Sequence, residues 1–326
     1  MTRSSPAERS PARWHVPGLR AASALGAVTL ILVSTLGVQQ RVQAVNNGNG
    51  IMKGQGFDRC DTPSVSQMAA FFRGSPLWWY GGYLGGASYG CPGNGLTAAW
   101  LNTVSAQGWQ FEYIWIGPQA PCTTFKSKFS GTPATAQQQG AAEASSAWHT
   151  MINDDGVANE AAGTPVVYDL EGPWPSSCNG VPNVQAAVNA FIQGWVNYLN
   201  SGPPAQIPGV YGSACASNLT ALASLKPPPT FIWGADWGTG GTANTDTASL
   251  SCVPSGDWSV NQRLKQYHSG AYSKTRGYPS QAYEQYNGVC MQTDDDNADS
   301  FTTPSGSTES LGTNSYVAYH SGCLGG

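Results

Sequence analysis

The sequence predicts an α/β fold closed into a (β/α)8, TIM-like barrel that becomes irregular in its last third. Strand-like and helix-like segments alternate from Gly54 onward, as in a parallel sheet with crossover helices. Eight strand candidates can be counted, and closing them on one another leaves no sheet edge. About 280 residues remain after an export-type N-terminus, enough for one large domain. An open doubly wound sheet is the alternative arrangement.

Each element has its own signal. Gly56-Phe57-Asp58 reads as a first strand end. Thr62-Pro63-Ser64 opens a helix, with Thr62 as N-cap and Pro63 at the first helical position. The aromatic segment from Leu77 to Leu84 is a second strand. Thr97 to Ala106 is a helix closed by Gly108, and Trp109 to Ile116 is a third strand. The Ala- and Gln-rich run from Thr135 to Ile152 is a long helix, followed by a fourth strand from Thr164 to Leu170. Val188, Phe191, Ile192, Trp195 and Leu199 share one face of a helix from Val184 to Leu199. Pro208 to Tyr211 and Phe231 to Ala235 are short apolar strands, with a helix near Asn218 to Leu225 between them. Trp237 to Gln262 is a long loop, and Leu264 to Tyr267 and Val289 to Thr293 complete the series.

Residues 1–44 are expected to stand apart from the fold as a signal peptide, and 45–53 as a flexible leader to a domain spanning 54–326. Arg3, Arg9, Arg13 and Arg20 precede an uncharged run from Ala21 to Val38, and Val42-Gln43-Ala44 offers small residues for cleavage. A retained membrane anchor is the competing reading, and the only membrane contact expected. No Arg-Arg pair occurs, which favours the general secretory route. The whole chain has 15 basic and 19 acidic residues. The N-terminal segment holds five Arg and one Glu, so a chain without it has a net charge of −8, no footprint for nucleic acid.

All eight cysteines follow that segment, widely spaced, which reads as disulfides in an exported chain. Their pairing is left open. No Cys-x-x-Cys occurs, and His149, His268 and His320 lack ligand spacing, so no metal or cofactor is expected. No Gly-rich phosphate loop follows the first strand and no Gly-x-Ser-x-Gly elbow exists.

Acids are scarce, yet Asp58, Asp169, Glu171, Asp236 and Asp294 all fall where a strand is expected to end, the rim that carries barrel active sites. Asp169 and Glu171 are two apart and would share a strand face. Two such carboxylates perturb each other, so one holds a proton while the other stays ionised. Glycosidic cleavage needs that division of labour. Asp236 is followed by Trp237, whose indole face could stack on a sugar ring, and Gln266 and Tyr267 could bond hydroxyl or acetamide groups. Asp294-Asp295-Asp296 with Asp299 admits a second reading as a calcium loop, although the Gly and distal Glu of an EF-hand loop are missing.

Gly56-Phe57-Asp58-x-Cys60 with Pro63-Ser64, Tyr83-Leu84-Gly85-Gly86, Gly108-Trp109, Tyr168-Asp169-Leu170-Glu171, and Asp294 with Asp299 together carry a resemblance. From Gly54 to Asp299 the chain resembles the secreted actinobacterial glycoside-hydrolase-like domain family (domain of unknown function 1906), itself similar to barrel-type muramidases. The resemblance implies Glu171 as general acid and Asp169 as the group that orients a substrate acetamido group or a water. It implies further that Asp58 and Asp294 line the site. After Asp-x-Glu a muramidase commonly has a simple short loop, whereas this chain has Gly172-Pro173-Trp174-Pro175 and a cysteine-bearing insertion.

The expected function is hydrolysis of peptidoglycan or a related N-acetylated polysaccharide by a secreted monomer. The catalytic residues would be Glu171, Asp169 and Asp58, with Asp236, Trp237, Gln266, Tyr267 and Asp294 binding substrate. The alternatives are a non-catalytic carbohydrate-binding or regulatory protein on the same barrel, and an envelope role without a sugar site.

Overall fold

The computed structural model describes residues 54–91, 95–154, 163–202, 205–237, 250–259, 262–268 and 283–298. The chain divides into two units, Met1–Gln39 and Gln40–Gly326, and all described residues belong to the second. The expected export segment and leader lie outside the described residues. Among the described residues, no helix is long and apolar enough to cross a membrane.

Among the described residues, ten strands and four α-helices follow in the order β1 (Gly54–Asp58), α1 (Val65–Gly74), β2 (Trp79–Gly85), α2 (Ala98–Ser105), β3 (Gln110–Trp115), α3 (Pro133–His149), β4 (Pro165–Asp169), α4 (Val184–Ser201), β5 (Ile207–Ser213), β6 (Phe231–Ala235), β7 (Arg263–His268), β8 (Tyr283–Tyr286), β9 (Val289–Gln292) and β10 (Asp294–Ala298). Eight of the strands close a barrel in the order β1-β10-β7-β6-β5-β4-β3-β2. The neighbours among β1 to β7 run parallel, from β1 on β2 to β6 on β7. The barrel is therefore closed and α/β, as expected, and the open sheet is excluded.

The irregular last third differs from the expected eighth strand. Val289–Gln292 pairs only with Tyr283–Tyr286, in a separate hairpin. Its turn is Asn287-Gly288, both at positive φ (49° and 77°), the two-residue arrangement whose twist suits a hairpin. The barrel is closed instead by β10, antiparallel to both β1 and β7. Asp294 thus begins its strand rather than ending one, and the reversal brings it to the same rim, opposite Asp58. The Asp run is a strand of the barrel and not a calcium loop. Asp299 lies outside the described residues.

Smaller differences concern caps. Ser64, not Thr62, caps α1: its hydroxyl accepts from the Gln67 N–H, while Gln67 Oε1 accepts from the Ser64 N–H at 2.8 Å. A Ser followed three residues later by Gln offers this reciprocal box, which satisfies two end donors at once. Helix α3 stops at His149 and passes into a π-helical turn, Thr150–Asp154. The helix expected near Asn218 is a short 3-10 turn, Leu219–Ser224.

Alternation along the strands sorts the core into two parts. Trp79, Ile114, Val167, Phe231, Trp233, Leu264 and Ala298 fill the inside of the barrel. Phe57, Tyr80, Phe111, Tyr113, Val166, Tyr168, Val210 and Ile232 alternate with them and pack outward under the helices. Helices α3 and α4 meet where Gly140 faces the Phe191 carbonyl and Gly194 faces that of Gln137; a methyl group at either would collide with backbone.

Three disulfides among the described residues, Cys60–Cys91, Cys122–Cys178 and Cys215–Cys252, join loops that follow β1 and β2, β3 and β4, and β5 and β6. Each staples two neighbouring loops at the C-terminal rim. Such cross-links suit an oxidising compartment outside the cytoplasm.

Candidate active site

Above the apolar inner core, the inward positions of the same strands turn polar. Asp58 closes β1, Tyr83 lies near the end of β2, Asp169 closes β4, Tyr211 lies near the end of β5, and Gln266 is on β7. Asp294 and Asp296 come in from β10, facing Asp58 and Gly56 in register. Room for Asp58 depends on Gly81 of β2, where a Cβ would come within 2.8 Å of Trp233 and 2.9 Å of the Asp58 Cβ.

Gln266 organises one side of this mouth. Its Nε2 donates to Asp58 Oδ2 at 2.6 Å, and its Oε1 accepts from the Tyr211 hydroxyl at 2.9 Å and from Trp237 Nε1 at 3.0 Å. On the other side the Tyr83 hydroxyl donates to Asp169 Oδ2 at 3.3 Å. Among the described residues no N–H or O–H donates to Asp169 Oδ1. The Glu171 carboxyl interacts with that of Asp169, and two carboxyl groups can hydrogen-bond to each other only when one carries a proton. Deeper in the barrel, Asp296 Oδ1 accepts from Trp233 Nε1 at 2.8 Å, and its carboxyl approaches that of Asp58.

Burial and mutual charge favour the protonated forms of these acids. Burial lifts Asp58 well above the usual carboxylate range and the Asp294 charge adds to it, against the lowering effect of the Gln266 hydrogen bond. Burial also lifts Asp169, helped by the charges of Glu171 and Asp58. Glu171, less enclosed, is raised by burial and lowered by its hydrogen bond with Asp169. Asp296 is raised by burial and by the Asp58 charge. The Tyr211 hydroxyl feels Glu171, Asp169, Asp58 and Asp294 together, so the four acids converge on one mouth.

Two expected site residues stand elsewhere. The Asp236 carboxylate accepts from Ser251, at 2.7 Å from its N–H and 3.1 Å from its hydroxyl, and lies 3.8 Å from Lys265 Nζ. Lys265 and Gln266 occupy opposite faces of β7, so Asp236 belongs to the outer side. Tyr267, also next to Gln266, leaves the same outer face and is 1% exposed. Adjacent residues of a strand cannot both face the axis, which separates Tyr267 from Gln266. Trp237 does reach the mouth, through its bond to Gln266.

Tyr83, Tyr211, Asp296 and Gln119 were not expected as site residues. Alternation from Asp294 is the signal that could have found Asp296, and their places near the ends of parallel strands the signal for Tyr83 and Tyr211. Gln119 sits in the loop after β3, and only its contacts with Asp169 and Glu171 reveal it. Among the described residues no group of three or more His, Cys, Asp or Glu is arranged to hold a metal ion.

The chain is similar to several solved structures. An uncharacterized B. stearothermophilus protein aligns at 16% identity over 75% of this chain and 95% of its own, with a TM-score of 0.45. The Mycobacterium tuberculosis Tat-secreted protein Rv2525c aligns at 12% identity over 75% of this chain and 95% of its own, with a TM-score of 0.44. A family 25 glycosyl hydrolase from Bacillus anthracis aligns at 13% identity over 77% and 92%, with a TM-score of 0.43. No curated protein matches in sequence. The family described as Rv2525c-like, glycoside hydrolase-like domain matches residues 70–295, and the chain belongs to that family.

Proposed function

We propose that this is a secreted glycosidase of the cell envelope that cleaves peptidoglycan or a related N-acetylated polysaccharide. The observation that carries the reading is the interacting Asp169–Glu171 pair at the mouth of a closed barrel, where burial raises the pKa of both carboxyls. Glu171 is the more accessible of the two and is the general acid: its proton passes to the glycosidic oxygen as the bond to the anomeric carbon breaks. Asp169, held by Tyr83, orients the acetamido group or a water that meets the oxocarbenium-like centre. Asp58 and Asp294 line the opposite wall, Gln266 offers hydrogen bonds, and the Trp237 ring is a stacking surface. Residues 1–44 serve as the export signal, and the protein acts as a monomer on a glycan strand.

Reducing-end release from purified peptidoglycan and chitin-type oligosaccharides tests this, with Glu171→Gln as control. Removing a general acid is expected to lower turnover by roughly 10²–10⁴-fold. Equal release by both proteins would sink the acid assignment. Silence from both, with glycan still bound, would make the barrel a receptor instead.

A further inference from the structure

Strand β4 ends at Asp169, and its last pairing with β3 is Trp115 with Tyr168. Beyond Trp115 no residue of β3 is left to pair with the chain that carries Asp169, Leu170 and Glu171. On the β5 side the Leu170 N–H donates to the Tyr211 carbonyl at 2.9 Å, and the Ser217 hydroxyl donates to the Leu170 carbonyl at 3.0 Å. On the β3 side the gap is filled by one side chain. Gln119 Nε2 donates to the Asp169 carbonyl at 2.8 Å, and Gln119 Oε1 accepts from the Glu171 N–H at 2.8 Å.

In a parallel ladder one residue bonds the two residues flanking its opposite number. The Gln119 amide makes this pattern around Leu170, in the orientation a main-chain peptide would have. Its assignment is unambiguous, because Nε2 also faces the Gly117 carbonyl at 3.2 Å while a backbone N–H needs the oxygen. The amide is itself held. Gln119 is fully buried, its N–H donates to the Ser127 carbonyl at 2.9 Å, and its carbonyl accepts from the Phe129 N–H at 3.0 Å. The Tyr168 hydroxyl donates to the Pro118 carbonyl beside it at 2.5 Å.

We propose that Gln119 is a positioning residue that extends β4 by two residues and so keeps the Asp169 and Glu171 carboxyls on one face, in contact. Period-two alternation puts residues 169 and 171 together only while the chain between them stays extended. The inference rests on the reading of Asp169 and Glu171 as the working pair, and its test has one arm that needs no activity.

Carboxyl NMR titration of the full chain follows Asp169 and Glu171 in the wild type, in Gln119→Met and in Gln119→Asn. The first variant removes both hydrogen bonds at similar volume. The second keeps a buried amide but shortens its reach by one carbon–carbon bond, and serves if the first fails to fold. In the wild type the two carboxyls are expected to titrate as an interacting pair; in the variants neither titration responds to the other carboxyl. Where the wild type cleaves glycan, kcat in Gln119→Met falls roughly a hundredfold while KM stays within about twofold. Unchanged pairwise titration in the folded variants overturns the proposal, and a drop in Tm alone leaves Gln119 merely structural. A wild type that never cleaves glycan defeats the enzymatic reading, and the titration still decides the role of Gln119.

Discussion

The floor and the mouth of this barrel are built from the same strands and held by different physics. On the floor, Trp79, Ile114, Val167, Phe231, Trp233, Leu264 and Ala298 pack against one another, with the indoles of Trp79 and Trp233 edge to face at 5.5 Å. Two to four residues nearer the rim, Asp58, Asp169, Glu171, Asp294 and Asp296 crowd together with Tyr83, Tyr211 and Gln266. Packing secures the floor, while three disulfides secure the loops around the mouth. The lesson is that the apolar half tunes the polar half: a dry floor denies the acids solvation and shifts them toward their protonated forms.

Three substitutions break or sharpen that contrast. The largest effect is expected from Trp233→Ala, which opens the floor and removes the donor to Asp296. It is expected to cost about 3–5 kcal/mol in denaturant unfolding, and a loss below about 1 kcal/mol would mean the floor is not what holds the barrel. Gly81→Ala blurs the boundary by pressing a methyl group between Trp233 and Asp58. Overpacking of this kind costs about 1–3 kcal/mol, and the same change is expected to disturb the Gln266–Asp58 hydrogen bond, visible in the Gln266 amide resonances.

The smallest effect concerns pH. The Asp58 carboxyl is raised in the folded chain, chiefly by burial, so the folded state binds its proton more tightly than the unfolded one. Its contribution is complete below the ordinary carboxylate pKa near 4 and is lost as pH rises through the higher folded value. Asp58→Asn, which can still accept from Gln266, is therefore expected to raise the urea midpoint at pH 7 and leave it unchanged near pH 4. A variant less stable at pH 7 would mean that the ionised carboxylate is welcome in the mouth.

Much of this was legible beforehand, for local reasons. Acids at strand ends are conspicuous in a chain with few charges, and Asp169 and Glu171 share a face by alternation alone. The same rule, applied strictly, separates Tyr267 from Gln266 and makes Asp296 an inward residue alongside Asp294. The Asn287-Gly288 hairpin was equally local. The run from Val289 to Thr293 nevertheless reads as the barrel strand that β10 supplies instead.

By itself the sequence determined the alternation of strands and helices, seven of the eight barrel strands, and the acids Asp58 and Asp169 at strand ends. These depend on neighbours a few residues apart, where periodicity and turn chemistry act. The tertiary structure alone decided that the last strand runs backwards and still delivers Asp294 to the rim beside Asp58. It alone drew Asp236 outward to Ser251 and Lys265, paired the loop cysteines two by two, and placed the Gln119 amide alongside Leu170. Those outcomes depend on residues far apart in the chain, and no local propensity encodes which distant partner will satisfy a buried polar group.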